Sequence, residues 1–215
     1  MKGIIFDLDG TLLNTIDDIA DCMNDVLDKR GLPVHTIAAY KIFVGDGVTN
    51  LVRRAASGAE AAGYDLRALE AEYSAEYLER QADKTAPYEG ITALLSSLTE
   101  RDVKIGVYSN KPHDATLKVM AHFFPGITFD AIIGQRPGFP VKPDPGGALE
   151  ILAIMGLPRE EVLYLGDTAT DMQTAKAAGL QAIGALWGFR EKAELEESGA
   201  ALFAAHPLDV LRCFI

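Results

Sequence analysis

The chain has few cysteines, and this scarcity limits the sites and compartments it can use. Its 215 residues include two, Cys22 and Cys213, which lie far apart and form neither a Cys-x-x-Cys motif nor a Cys/His cluster. A disulfide framework or a zinc site is therefore disfavoured, and a reduced, cytoplasmic protein is expected. Long apolar runs are also lacking: no stretch approaches the roughly 20 residues that span a bilayer, and Asp7 interrupts the N-terminal run too early for a signal peptide.

Positive charge is also in short supply. Lys and Arg number 20 against 31 Asp and Glu, which gives a formal net charge of −11. This balance argues against nonspecific binding to nucleic acid or to anionic membranes. It does not exclude a small anionic substrate, because such a ligand responds to the local field of its site. The sequence leaves the oligomeric state open.

The first apolar segment carries the first chemical signal. Gly3-Ile4-Ile5-Phe6 runs directly into Asp7-Leu8-Asp9-Gly10. We predict a strand over residues 3–8, buried on both faces like a strand of a parallel sheet. Residues i and i+2 of a strand share a face, so Asp7 and Asp9 are expected to point the same way at the carboxyl end of the sheet. Two carboxylates crowded there require a cation or a shared proton.

Two patterns of secondary structure follow this segment. The region 14–83 is predicted to form successive helices near 15–30, 35–43, 48–56 and 66–81. After residue 84 strands are predicted at 103–107, 131–133, 162–165 and 181–185, with helices near 91–100, 114–122, 145–155, 172–178 and 192–197. Such alternation is typical of βαβ units. The strand at 3–8 finds partners only in this later part. The predicted fold is therefore α/β, with a Rossmann-like parallel-sheet core at 1–13 and 84–215 and an all-helical cap domain inserted at 14–83.

Polar residues follow three of the later strands. These clusters are Tyr108-Ser109-Asn110-Lys111, Lys142-Pro143-Asp144-Pro145, and Gly166-Asp167-Thr168 with Asp171. Because the carboxyl ends of parallel strands share one edge of the sheet, we expect the clusters to meet Asp7 and Asp9 there. Carboxylates suit a hard cation, while hydroxyls and a lysine suit a bound dianion.

Four motifs in this order resemble those of the haloacid-dehalogenase-like phosphohydrolases. They are Asp7-x-Asp9-Gly10-Thr11, Ser109-Asn110, Lys142-Pro143 and Gly166-Asp167-x-x-x-Asp171. The resemblance extends over nearly the whole chain, with the predicted cap between the first and second motifs. It implies a Rossmann-like core, Mg2+ as the cofactor and an aspartyl-phosphate intermediate.

The resemblance also implies roles for the acidic residues. Asp7 would be the nucleophile that attacks phosphorus. Asp9 would be the general acid that protonates the leaving oxygen and then the base that activates water. Asp7, Asp167 and the main-chain carbonyl of Asp9 would bind the metal. Asp171 would either ligate the metal directly or orient its waters, and both readings remain open.

The other motif residues are assigned to the phosphoryl group. Lys142, with the metal, would offset the repulsion between Asp7 and a phosphate dianion. The side chains assigned to phosphoryl oxygens are those of Thr11, Ser109 and Asn110, together with backbone amides near 8–10. Lys111, beside the second motif, is either a phosphate or substrate contact or a solvated lysine.

Several residues point to a branch of the family. Asp9 excludes the dehalogenases, which lack a carboxylate two residues after the nucleophile. The segment Phe43-Val44-Gly45-Asp46-Gly47, followed by Arg53 and Arg54, resembles the cap loop of phosphoglycolate phosphatases. A loop containing Gly45 and Gly47 that enters a helix would present free amides to an anion. Arg53 or Arg54 would pair with a carboxylate, unless both are ordinary surface arginines.

The sequence therefore predicts a Mg2+-dependent phosphatase of a small phosphorylated metabolite, with 2-phosphoglycolate as the leading candidate. A sugar-phosphate mutase or a pyrophosphatase could use the same core. Outside these enzymes, a phospho-accepting receiver or a binding module would also cluster acids, a hydroxyl and a lysine.

Overall fold

The computed structural model describes residues 1–60 and 63–214, and its chain forms two compact units. One unit is Thr15–Ala86, and the other joins Met1–Asn14 to the chain from Pro87 onward. The helical insert expected at 14–83 covers nearly the same residues as the first unit. Its assignment as a cap domain stays a prediction.

A six-stranded parallel sheet forms the centre of the larger unit. The strands of the described chain are β1 Gly3–Phe6, β2 Leu13–Asn14, β3 Ala86–Pro87, β4 Lys104–Pro112, β5 Ala131–Gln135, β6 Val162–Gly166, β7 Gln181–Ala185 and β8 Leu202–Ala204. Six of them pair in the order β5-β4-β1-β6-β7-β8, and each pair is parallel. The predicted α/β class with a parallel sheet is therefore confirmed. Because β1 lies between β4 and β6, the first motif emerges in the middle of the sheet.

Helices precede or follow nearly every strand. Those of the described chain are α1 Ile16–Lys29, α2 Ile37–Phe43, α3 Val48–Ala55, α4 Leu66–Arg80, α5 Ile91–Glu100, α6 His113–Phe123, α7 Gly146–Met155, α8 Ala169–Ala178 and α9 Lys192–Glu197. Short 3-10 turns lie at Arg159–Glu161 and Pro207–Cys213. None of the helices within 1–60 and 63–214 is long and apolar enough to cross a membrane.

The sheet is covered on both faces, and this explains the continuous apolar run of β1. Ile4 and Phe6 belong to one buried cluster that includes Leu94 of α5. Ile5 belongs to the cluster on the other face, which includes Ile151 of α7. Alternate residues of a strand point to opposite faces, so a strand buried on both sides needs apolar side chains at every position.

Two strand ends differ from the prediction, and each one concerns a motif. The strand predicted at 3–8 ends at Phe6, so Asp7 and Asp9 lie beyond it. The alternation of side chains along a strand therefore does not determine where the two carboxylates point. The strand predicted at 103–107 continues as β4 to Pro112, with irregular pairing to β5 after Tyr108. The second motif therefore lies within the strand, because backbone pairing continues past the apolar residues that marked the strand in the sequence.

In the helical unit, α1 buries an apolar face that includes Met23 and Leu27. One acidic residue of this helix is also buried: the carboxylate of Asp18 accepts hydrogen bonds from the backbone N–H groups of Lys84 and Thr85. These contacts hold the end of the unit to its first helix. Asp18 is therefore a structural residue of this unit.

Candidate active site

The first motif forms a turn that follows directly from β1. The backbone N–H of Asp7 donates to the carbonyl of Leu165, which continues the pairing with β6 by one residue. The chain then bends, and the N–H groups of Leu12 and Leu13 donate to the carbonyl of Leu8. Gly10 has φ of 92°, and a Cβ there would lie 2.4 Å from Oδ2 of Asp167. The turn therefore requires glycine both for its backbone conformation and for the close approach of a carboxylate.

Lys142 connects the first motif to the last. Its Nζ donates to Oδ1 of Asp7 and to Oδ1 of Asp171, at 2.7 Å in each case. Its side chain is 2% exposed, and that of Asp7 is 8% exposed. Lys142 thus places a buried ammonium group at the sheet edge, and such a buried charge requires anionic partners. The structure brings together the three residues that the sequence placed on three different strand ends.

Asp171 uses both of its carboxylate oxygens for contacts within the protein. Oδ1 accepts from Lys142 and, at 3.3 Å, from the hydroxyl of Tyr164. Oδ2 accepts from the N–H and the hydroxyl of Thr168, which together with Asp171 forms a capping box at the start of α8. Because of this cap, α8 begins at Ala169, earlier than the predicted helix at 172–178.

Asp167 is fully buried and is held by groups from two separate segments. Its Oδ1 accepts from the hydroxyl of Thr11 at 2.9 Å, and its Oδ2 accepts from the N–H of Phe189 at 2.8 Å. A Cβ on Gly188 would lie 2.3 Å from Cβ of Asp167. Trp187, whose indole N–H donates to the carbonyl of Thr11, completes this loop. The loop after β7 therefore closes one side of the site.

These buried carboxylates carry more negative charge than one ammonium group offsets. Burial, then the charge of Asp171, raises the pKa of Asp7 well above its ordinary value, although Lys142 acts against the shift. Burial and Asp171 likewise raise the pKa of Asp167 to about 7, against the hydrogen bonds from Phe189 and Thr11. Burial acts to lower the pKa of Lys142, but the charges of Asp171 and Asp7 outweigh it and raise that pKa. Lys142 is therefore cationic and the acidic cluster is short of positive charge.

The residues of the second motif organise the site from β4. Asn110 donates to the carbonyl of Lys142 at 3.2 Å and accepts from its N–H at 2.7 Å, so it fixes the backbone of that lysine. The Oγ of Ser109 accepts from the N–H of Lys111. The ammonium of Lys111 lies 3.2 Å from Oδ1 of Asp9. Of the two readings left open for Lys111, the solvated lysine is wrong, because its side chain is 3% exposed.

Three of the carboxylates are close enough to share a metal ion. Asp7, Asp167 and Asp171 each offer an oxygen, and these oxygens all lie within 4.8 Å of one another. Oxygen donors are those that hard divalent cations prefer, and the raised pKa values of Asp7 and Asp167 are a second sign that a cation fits here. Asp9 was predicted to bind the metal through its main-chain carbonyl. Its side-chain carboxylate contacts Lys111 and does not belong to this cluster.

The residues predicted in the helical unit form a local arrangement of their own. Gly45 and Gly47 have φ of 118° and 86°, and Gly47 directly precedes α3. Arg54 donates to the carbonyl of Phe43 at 2.8 Å and is paired with Asp46, so it braces the loop that contains the two glycines. Arg53 is exposed and donates to the side chain of Asn50. Arg54 thus has a structural role that was not predicted from the sequence.

Comparison with known proteins agrees with this geometry. Residues 4–185 match the sequence profile of the haloacid dehalogenase-like hydrolases. The chain belongs to this family. A phosphoglycolate phosphatase of Cereibacter sphaeroides is 35% identical over 208 residues, which cover 96% of this chain and 94% of that protein. A phosphoglycolate phosphatase of Pseudomonas fluorescens is 31% identical, over 99% of this chain and 78% of that protein.

A solved structure shows the same fold over the whole length. A haloacid dehalogenase-like family hydrolase from Streptococcus pneumoniae superposes with a TM-score of 0.86 at 23% identity and covers 100% of this chain and 99% of its own. The prediction of a haloacid dehalogenase-like hydrolase that resembles the phosphoglycolate phosphatases is therefore confirmed. The roles of individual residues in the reaction stay predictions.

In this haloacid dehalogenase-like hydrolase, several residues that hold the acidic cluster were not predicted from the sequence. Thr168-x-x-Asp171 has the spacing of a capping box, and this signal could have been recognised. Tyr164 and the backbone of Phe189 carried no such signal. An apolar strand position and a loop amide become part of a site only when the fold brings them next to a carboxylate.

Proposed function

We propose that this hydrolase is a Mg2+-dependent phosphatase that cleaves a small organic phosphate monoester, with 2-phosphoglycolate as the leading substrate. The observation that carries the proposal is the buried contact of Lys142 with Asp7, next to Asp167. The names of the two relatives support the choice of substrate. Two free cysteines, Cys22 and Cys213, agree with action in the cytoplasm.

Asp7 is the proposed nucleophile. One of its carboxylate oxygens attacks phosphorus in line with the leaving oxygen, and the P–O bond to the leaving group breaks as the bond to Asp7 forms. The product of this step is an aspartyl phosphate. Lys142, 2.7 Å from Asp7, reduces the repulsion between the anionic nucleophile and the incoming phosphate. Water then attacks the phosphorus, the bond between phosphorus and the Asp7 oxygen breaks, and inorganic phosphate leaves as the Asp7 carboxylate is restored.

Asp7 and Asp167 would hold the metal ion, with the main-chain carbonyl of Asp9 as the further protein ligand that family resemblance implies. A bound Mg2+ supplies positive charge that stabilises the developing charge on the phosphoryl oxygens. Asp171 is already held by Lys142, Tyr164 and Thr168. These contacts favour the alternative in which Asp171 orients the waters of the metal over direct ligation.

Asp9 is the proposed acid and base. In the first step its carboxyl donates a proton to the leaving oxygen, and in the second it takes a proton from the attacking water. Ser109 accepts a hydrogen bond from the N–H of Lys111, and its own hydroxyl can donate to a phosphoryl oxygen. Thr11 and Asn110 then support the phosphate site through Asp167 and Lys142, which their side chains contact.

The test is turnover of a panel of phosphorylated metabolites, measured as phosphate release with MgCl2 and with EDTA. We expect 2-phosphoglycolate to be among the best substrates and EDTA to remove activity. Isomerisation of a sugar phosphate or cleavage of pyrophosphate in preference to monoesters would replace the proposal with a mutase or a pyrophosphatase. A protein that turns over none of the compounds with any divalent metal would overturn it in favour of a receiver or binding module.

The predicted substrate contacts of the helical unit need a separate measurement. Gly45, Gly47 and Arg53 are proposed to bind the anionic substrate. If so, Arg53→Gln raises KM for 2-phosphoglycolate without changing the circular dichroism spectrum. An unchanged KM would return Arg53 to the role of a surface residue.

A further inference from the structure

Lys111 is a charged residue to which the proposed mechanism gives no task. It lies in β4 just beyond Tyr108, where the pairing with β5 becomes irregular. Its side chain is almost completely buried, and its ammonium lies 3.2 Å from the carboxylate of Asp9. Burial of an ammonium group is unfavourable without anionic partners, so the fold maintains this charge beside the proposed acid at some cost.

We propose that Lys111 binds a carboxylate on the leaving group of the substrate and so selects substrates such as 2-phosphoglycolate. The inference rests on the proposed function, because it uses the assignment of Asp9 as the acid. It concerns specificity for the leaving group, which the chemistry of the four motifs does not fix.

The position of Lys111 follows from the task of Asp9. A general acid must lie within hydrogen-bond reach of the leaving oxygen that it protonates. Lys111 contacts Asp9, so its ammonium lies beside the leaving group as well. In 2-phosphoglycolate the carboxylate is bonded to the carbon that bears the leaving oxygen. This substrate therefore places its second negative charge in the immediate surroundings of Asp9 and Lys111.

The negative charge of the substrate carboxylate requires a cation beside Asp9. Without one, the carboxylate of the leaving group would be repelled by Asp9 as soon as Asp9 has given its proton to the leaving oxygen. An ammonium group has three donors, so Lys111 can contact Asp9 and a substrate carboxylate together, with charge-assisted hydrogen bonds to both. Lys142 is held between Asp7 and Asp171 on the attacking side. Arg54, one of the two arginines that the sequence offered as partners of a carboxylate, is already paired with Asp46.

The test compares 2-phosphoglycolate with its neutral carboxamide analogue, which keeps the shape and removes the charge. For Lys111→Met we expect kcat/KM to fall about 10- to 100-fold more for the carboxylate than for the carboxamide, the range for loss of a charge-assisted hydrogen bond. Lys111→Arg should restore part of this preference. Lys104→Met is the matched control, since Lys104 begins the same strand and pairs with a carboxylate, Asp130, outside the site.

The outcomes separate this inference from the proposed function. Equal losses for both substrates would mean that Lys111 acts only through Asp9, and this would overturn the inference. A wild-type enzyme that hydrolyses both substrates equally well would overturn it without any variant, even if Lys111→Met does not fold. A wild-type enzyme that hydrolyses neither, nor any other phosphate monoester, would instead contradict the proposed function.

Discussion

Ion pairs are built in opposite ways in the two units of this hydrolase. At the sheet edge, Lys142 lies between Asp7 and Asp171 with almost no exposure. In the helical unit, Lys84 pairs with Asp21 at 2.6 Å while its side chain remains 59% exposed. The distances are alike, but water screens the second pair and not the first. Burial, and not contact distance, therefore distinguishes the charge cluster at the sheet edge from a surface ion pair.

The largest expected effect is the loss of activity when the proposed nucleophile, Asp7, is replaced in the buried cluster. Asp7→Asn should lower kcat by about 10^4-fold or more, because an amide cannot attack phosphorus. The measurement is phosphate release from 2-phosphoglycolate, together with acid trapping of the phosphoenzyme. Asp114→Asn, an exposed acid in the first turn of α6, is the control and should keep full activity. Substantial turnover by Asp7→Asn would contradict the assignment.

The next effect concerns stability, and it tests the comparison directly. Lys142→Met leaves Asp7 and Asp171 buried without their cation, which should lower the free energy of unfolding by about 3–5 kcal/mol. Lys84→Met removes an exposed partner and should leave the unfolding curve unchanged. Denaturant titration of both variants in EDTA provides the measurement. Similar stability of the two variants would show that burial does not increase the contribution of an ion pair to the free energy of unfolding.

The third effect is the pH dependence of the metal-free protein. The pKa of Asp167 is raised to about 7 in the folded protein against an ordinary value of 3.8, and that of Asp7 is raised as well. Between these pH values the folded protein binds protons that the unfolded chain does not, so its stability falls as pH rises towards 8. In EDTA, the thermal midpoint should be several degrees lower at pH 8 than at pH 6, and MgCl2 should reduce the difference.

Asp167→Asn is the control for this pH effect. Its midpoint should change less between pH 6 and pH 8 than that of the wild type, because the titrating carboxyl is gone. The variant should also gain less stability from MgCl2, since it has lost a proposed ligand. A pH profile that Asp167→Asn leaves unaltered would assign the dependence to other groups.

The smallest effect is expected in the loop of the helical unit. Arg54→Gln removes the contacts with Phe43 and Asp46 and should lower stability by about 1 kcal/mol. Arg53→Gln loses an exposed hydrogen bond to Asn50 and should change stability little. Thermal unfolding of the two variants, side by side, gives the measurement. If the effects are reversed, the bracing role of Arg54 is incorrect.

Much of the fold could be predicted because apolar patterns record it directly. The run Ile4–Phe6 predicted a strand buried on both faces, and the alternation of helices and strands after residue 84 predicted a parallel sheet. The motifs at the strand ends then indicated which side chains would meet. The exact end of β1, by contrast, had no signal, because Leu8 continues the apolar pattern although the backbone already turns there.

The sequence by itself therefore determined the α/β class, the family and the identity of the acids and lysines at the sheet edge, since each lies in a local pattern. Only the tertiary structure decided how these charges are paired. It placed Lys142 between Asp7 and Asp171, and it buried Lys111 against Asp9. Pairing depends on distance and burial among residues that are 29 to 135 positions apart. No local pattern encodes these quantities for Asp9 and Lys111, which are 102 positions apart.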